Sequence, residues 1–190
     1  MNLARLLKAR AEAGRPVRVG LIGAGKFGSM FLSQLRTTPG LHLLGIADLS
    51  VPRARAALEA TGWDSEAVVA SSFTEALGTG RTMLTDDAAA LIAADGLDVV
   101  VEVTGSPAAG AAHALLAIEH GRHIVMVTVE ADVLVGPLLA ERARKAGVVY
   151  SMAYGDQPAL VCEMVDWART CGFTVVCAGK GTKYLPSFHR

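Results

Sequence analysis

Gly23-Ala24-Gly25-Lys26-Phe27-Gly28 fits the spacing GxGxxG, set between an apolar, β-branched run from Val17 to Ile22 and a helical pattern. In that context Gly23 permits a tight turn, Gly25 lets the backbone approach a pyrophosphate, and Gly28 lets helix and strand pack closely. Free N–H groups and the positive end of the helix dipole then face the phosphates. Asp48 follows Gly28 by twenty residues, at the end of a second apolar run. An acid there hydrogen-bonds the adenosine ribose hydroxyls of a dinucleotide. The expected cofactor is therefore NADP or NAD. Two like charges about 4 Å apart, at an effective dielectric of about 20, repel by about 4 kcal/mol before screening. Asp48 by itself thus favours NAD over its 2′-phosphorylated form. Arg53, Arg55 and Lys26 stand close enough in sequence to offset this by meeting a 2′-phosphate, or are solvated surface charges.

Two later strand ends carry further polar residues. Thr104-Gly105 closes the run Leu97 to Val103, and Thr128-Val129-Glu130 closes the run His123 to Val127. Ligands of such sheets bind outside the carboxyl ends of the strands. Thr104 and Gly105 are expected beside the ribose and nicotinamide, with Thr128 and Glu130 flanking them. Glu130 reads equally as a cap on the helix that follows. His113, His120 and His123 lie in or after a helix whose face reads as solvated. No Ser/His/Asp, Cys/His or tight metal-ligand spacing stands out, and no metal is expected.

The elements that must position these residues follow from periodicity. An amphipathic leader helix, with Leu3, Leu6 and Leu7 on one side, ends at Gly14. Strands are expected at 17–22, 41–47, 82–85, 97–103, 123–127 and 148–152. Helices are expected at 29–35, from Pro52 to about Ala60, and at 88–94, 107–119 and 136–146, with a short one near 73–77. Strands alternating with helices call for βαβ units. The fold class is α/β, a Rossmann-type doubly wound parallel sheet followed by the start of a second, catalytic domain. Residues 1–153 form the dinucleotide-binding domain and 154–190 the beginning of an incomplete one. In that second part a helix is expected at 159–170 and a strand at 173–178, whose free edge invites self-association into a homo-oligomer.

Hydrophobic residues make up 52% of the 190 residues and charged residues 19%, enough for a buried core, and the formal net charge is zero. Neutrality and 5% aromatics argue against nucleic acid and membrane surfaces as partners. A small-molecule substrate is expected instead. The three cysteines, Cys162, Cys171 and Cys177, lack metal or CxxC spacing and read as reduced thiols. The first fifteen residues lack an apolar signal core. A cytoplasmic location is expected.

Four stretches together, VRVGLIGAGKFG, LDVVVEVTGSP, GRHIVMVTVEADVLVGP and above all MAYGDQPALVCEMVDWARTCGFTVVCAGKGTKYLP, resemble one family. It is the homoserine dehydrogenase-like NAD(P)-dependent oxidoreductases with a C-terminal SAF domain, whose best-understood branch is the deoxyxylulose phosphate reductoisomerase-like enzymes of isoprenoid biosynthesis. The chain resembles their N-terminal half. The resemblance implies an NAD(P)H-linked oxidoreductase, with NADPH used in the reductoisomerase-like branch. It implies that Gly23, Gly25 and Gly28, with Lys26 and Phe27 between them, form the dinucleotide loop, and that Thr104 and Gly105 lie under the nicotinamide. It also implies that Asp156, Lys180 and Lys183 face the substrate. The family usually places an Asn-Lys pair after the fifth strand; here Thr128 and Val129 stand there.

An oxidoreductase of this kind moves a hydride between the nicotinamide and a small carbonyl or hydroxy substrate. The alkoxide charge that develops needs a donor or cation placed beforehand. Lys180 and Lys183 are candidates for that role or for proton transfer, and each suits equally a substrate phosphate or carboxylate. Asp156 and Glu130 are candidates for orienting the substrate. The competing expectation is an NAD(P)-binding sensor without turnover, since fold alone does not establish catalysis.

Overall fold

A computed structural model describes residues 2–155 and 157–179. The chain divides after Ser151 into two units.

Seven strands form one sheet in the order β3-β4-β2-β1-β5-β6-β7, the first six of them wholly in the first unit. They are β1 (Val17–Ile22), β2 (Leu41–Ala47), β3 (Val69–Ala70), β4 (Thr82–Thr85), β5 (Val99–Glu102), β6 (His123–Met126) and β7 (Tyr150–Met152). The registered pairs β1·β2, β1·β5, β2·β4, β3·β4 and β5·β6 are all parallel. Strands β2, β4 and β3 lie in that order on one side of β1, and the chain then crosses to place β5 on its other side. The gap outside the carboxyl ends of β1 and β5 is therefore the point where ligands bind in such sheets.

Helices cover both faces, which is why the strands read as nearly continuous apolar runs. Leu21, Leu43, Ile46 and Val101 point to one core with Leu32 of α2 (Lys26–Leu35) and Leu58 of α3 (Val51–Ala60). Leu44, Val100 and Ile124 point to the other, with Ile92 of α6 (Ala88–Ala93), Ala117 of α7 (Pro107–Glu119) and Leu139 of α8 (Val129–Ala146). The leader α1 is Leu3–Glu12, and two short helices, α4 (Ser65–Val68) and α5 (Phe73–Thr79), lie between β2 and β4. The second unit carries α9 (Gln157–Thr170).

Several boundaries differ from expectation. The helix expected at Ser29 begins at Lys26, because Gly25 is its N-cap and the glycine motif supplies the first turn. The helix expected at Gly136 begins at Val129 and runs through Pro137. Proline normally breaks a helix interior. Here burial of Ala131, Leu139 and Ala143 outweighs that local cost. The β5 strand is shorter than the apolar run that announced it. The two-residue β3 has no sequence signal, so the strand at 82–85 is the fourth and not the third. Residues 173–179 form no strand, and Val176 is 93% exposed. A β-strand exists only through a hydrogen-bonded neighbour, and among the described residues none lies beside this run. The strand whose free edge was expected there is thus not formed. The three cysteines are free and exposed. Among the described residues no helix is long and apolar enough to cross a membrane.

Arg122 ties the approach to β5 to that of β6. Its guanidinium donates to the carbonyls of Ile92, Ala94 and Leu97, at 3.2, 2.9 and 2.9 Å. The Ala94 carbonyl also accepts from the Leu97 N–H at 3.4 Å, and carbonyls at a helix end lack intrahelical donors. Hydrogen bonds from a charged donor contribute about 1.5–3 kcal/mol each at most. Arg122→Ala is expected to lower the unfolding free energy by about 2–4 kcal/mol, read from the midpoint of a urea transition.

Candidate functional site

The turn from β1 into α2 is built on contacts that only glycine permits. Gly23 has φ +108°, and a Cβ on it would stand 3.0 Å from the Val103 carbonyl oxygen of the neighbouring strand end. A Cβ on Gly28 would stand 2.4 Å from the Gly23 carbonyl oxygen, closer than any real contact. Gly25 differs: a Cβ there would meet nothing within 4 Å. As N-cap it brings no side-chain acceptor, so the N–H groups of the first turn of α2 have no intrahelical partner. Lys26 and Phe27 are exposed beside it. A cradle of open backbone donors at a helix N-terminus fits an anionic pyrophosphate.

Asp48 closes β2 beside this turn and is buried. Its Oδ2 accepts from the Ala24 N–H at 2.8 Å. Its Oδ1 accepts from the Ser50 N–H at 2.8 Å and from Arg53 at 3.0 and 2.6 Å. Burial alone would raise the Asp48 pKa. The hydrogen bonds from Ala24, Ser50 and Arg53, with the Arg53 charge, outweigh it and hold the carboxyl below the usual carboxylate range. Asp48 thus braces the glycine turn and orients Arg53, whose side chain is 57% exposed. A cleft of about 420 Å³ opens here, lined by Gly23, Gly25, Asp48, Arg53, Thr104 and His113 among others.

Sequence reasoning missed a second buried carboxylate. Glu102, the last residue of β5, has no exposed surface. Its Oε1 accepts from the Thr104 hydroxyl at 2.6 Å, from the Thr104 N–H at 3.4 Å and from His113 Nδ1 at 3.3 Å. Its Oε2 accepts from the Thr128 hydroxyl, which in turn accepts from the Gly105 N–H at 3.0 Å. Burial again pushes its pKa up, but the hydrogen bonds from His113, Thr104 and Thr128 and the attraction of His113 prevail, and Glu102 is held below its usual value. Gly110 makes room for it, since a Cβ there would stand 3.2 Å from Oε2. Thr104, Gly105 and Thr128 are therefore one assembly around one carboxylate. The available signal was a single acid inside the apolar run Val99-Val100-Val101-Glu102-Val103. His113, expected on a solvated face, is half-buried because Glu102 holds its ring inward.

Behind this assembly, the Tyr150 hydroxyl donates to Asp132 Oδ1 at 2.9 Å. Burial, that hydrogen bond and the charges of Asp132 and Glu102 push the Tyr150 pKa far up. Glu130 is exposed in the first turn of α8, where a negative charge complements the helix dipole. It does not line the cleft. Asp156, Lys180 and Lys183 lie outside the described residues. Among the described residues no group of three His, Cys, Asp or Glu side chains is arranged to hold a metal ion.

Residues 23–152 match the family described as homoserine dehydrogenase, NAD binding domain. The chain belongs to that family. This NAD-binding domain is followed by residues 155–190, which match the catalytic domain of oxidoreductase DRL. Among solved structures, an NAD-binding oxidoreductase from Klebsiella pneumoniae is 18% identical, with 83% of this chain and 39% of that chain covered and a TM-score of 0.58. A homoserine dehydrogenase from Thiobacillus denitrificans is 21% identical over 73% of this chain and 29% of that one, with a TM-score of 0.58. A myo-inositol dehydrogenase from Lactobacillus casei, in complex with NAD(H) and myo-inositol, is 17% identical over 80% and 42%, with a TM-score of 0.56. At these identities the likeness shows the fold. The chain spans less than half the length of each of these structures. No curated protein matches.

In this NAD-binding domain both buried carboxylates have folded-state pKa values below their ordinary ones, so in acid the unfolded chain binds more protons than the folded one. Their stabilisation is present above the ordinary carboxylate pKa and is lost as pH falls through the folded-state values. Melting temperature is expected to fall steeply below about pH 4.5. Asp48→Asn and Glu102→Gln are each expected to lower it at neutral pH and to flatten that acid limb, read by thermal denaturation across pH.

Proposed function

We propose that the chain is the cofactor-binding portion of an NAD(P)-dependent oxidoreductase acting on a small carbonyl or hydroxy substrate. The observation that carries this is the open glycine-floored start of α2, set at the β1/β5 crossover of the sheet. In this reading the pyrophosphate rests against the first-turn N–H groups from Gly25 to Gly28. The Asp48–Arg53 pair meets the adenosine ribose, and Thr104, Gly105 and Thr128 lie on the nicotinamide side. The bound cofactor supplies or accepts the hydride. The chain's own residues hold it and shield it: Glu102 keeps the two strand-end segments together, and Gly25 leaves the phosphate side unobstructed.

On the substrate side, Asp156, Lys180 and Lys183 fall within the stretch that matches an oxidoreductase catalytic domain, which supports their assignment to substrate orientation and charge stabilisation. Glu130 is the remaining candidate. The resemblance to reductoisomerase-like enzymes favours a sugar phosphate as substrate, NADPH as reductant and a cytoplasmic setting.

Gly25 gives the decisive variant, because the structure leaves room for a side chain there. Gly25→Val is expected to leave the melting temperature within a few degrees and to weaken NADH and NADPH binding by at least about tenfold, measured by fluorescence titration. Unchanged binding would remove the pyrophosphate from this turn. Binding retained in the wild type, with no oxidation by any carbonyl substrate even in a longer version of the chain, would favour a sensor over an enzyme.

Arg53 neutralises a buried acid that otherwise repels a 2′-phosphate. Arg53→Ala is expected to weaken NADPH more than NADH, raising the ratio of their dissociation constants by about three- to tenfold. The same titration reads it.

A further inference from the structure

His113 lines the cleft, yet neither the glycine motif nor the strand ends account for it. Its ring is fixed from below. An ionised carboxylate can only accept hydrogen bonds, so at the 3.3 Å contact with Glu102 it is Nδ1 that carries the hydrogen. A neutral imidazole has one donor and one acceptor nitrogen. Nε2, at the far edge of the ring, is then a bare acceptor. Among the described residues no hydrogen bond engages Nε2, and no fully buried polar side-chain atom is left unpaired, so Nε2 keeps exposed surface on a residue that lines the cleft. Glu102 has no surface and three further hydrogen bonds of its own, so it cannot turn away and release the ring.

We propose that His113 is a ligand-binding residue of this cleft, with Nε2 accepting a hydrogen bond from an N–H group of the bound dinucleotide. The inference rests on the dinucleotide reading above. Two parts of a dinucleotide offer such a group, the adenine amino group and the nicotinamide carboxamide. Glu102 acts as a positioning residue, setting the tautomer through Nδ1 as second partners of functional imidazoles do.

The test is calorimetric titration with NAD⁺ at neutral pH. His113→Phe, which removes the acceptor, is expected to bind about three- to tenfold more weakly than wild type. His113→Gln keeps an acceptor near the place of Nε2 and is expected to restore most of that loss. ADP-ribose separates the two sources: an equal His113→Phe loss with it assigns the adenine amino group, and a loss confined to NAD⁺ assigns the carboxamide. An affinity unchanged in His113→Phe, or lowered equally in His113→Phe and His113→Gln, would overturn the proposal while leaving the dinucleotide reading standing. Absence of any dinucleotide binding by the wild type would overturn both. Independently of ligand, ¹⁵N NMR is expected to show the Nδ1–H tautomer of His113 at neutral pH, and an Nε2–H tautomer would refute the proposal.

Discussion

The cofactor turn exists because one backbone passes almost through the place where another residue's side chain would be. Gly28 sits so near the Gly23 carbonyl that a methyl group would overlap it. That approach seats the first turn of α2 directly on the end of β1, with its free N–H groups beside the β5 edge. If α2 stood off by the width of a Cβ, those donors would no longer face the gap where the sheet order reverses. Gly25, at the N-cap, differs: the protein leaves the space beyond it open, with nothing within 4 Å of where a Cβ would stand.

Two buried carboxylates then hold the surroundings to this turn, and they do so differently. Asp48 spends one oxygen on the glycine loop and the other on the Ser50 N–H and Arg53. Its pairing with a half-exposed arginine is partly screened by water, so the backbone contacts are its firmer part. Glu102 has no such escape. A buried charge is tolerated only when its oxygens are fully engaged, and His113, Thr104 and Thr128 engage them. Three separate chain segments are thereby forced to one point, and a single carboxylate decides the arrangement of the cleft's β5 and β6 side.

Where local pattern and tertiary packing agreed, the sequence was readable. The bounds of β1, β2 and α7 follow directly from apolar runs, Pro107 and the glycine stops. Where they disagreed, packing prevailed. The helix expected from 136 begins at Val129, and α8 runs through Pro137 because Ala131, Leu139 and Ala143 are buried. Phe173 to Ala178 has strong strand composition, yet composition supplies no partner. His113 has the look of a surface residue on an alanine-rich helix, and the carboxylate beneath it holds the ring inward.

Taken alone, the sequence determined the sheet class, the glycine turn, and the acid at the end of β2, because these depend on spacing within one βαβ unit. It also marked Thr104, Gly105 and Thr128 as strand-end residues. The tertiary structure decided what joins them. His113 and Thr128 lie 11 and 26 residues beyond Glu102, and no local periodicity encodes such a meeting. It comes about because parallel strands β5 and β6 end side by side, and a charge sealed between them must draw its hydrogen bonds from whatever the fold brings within reach.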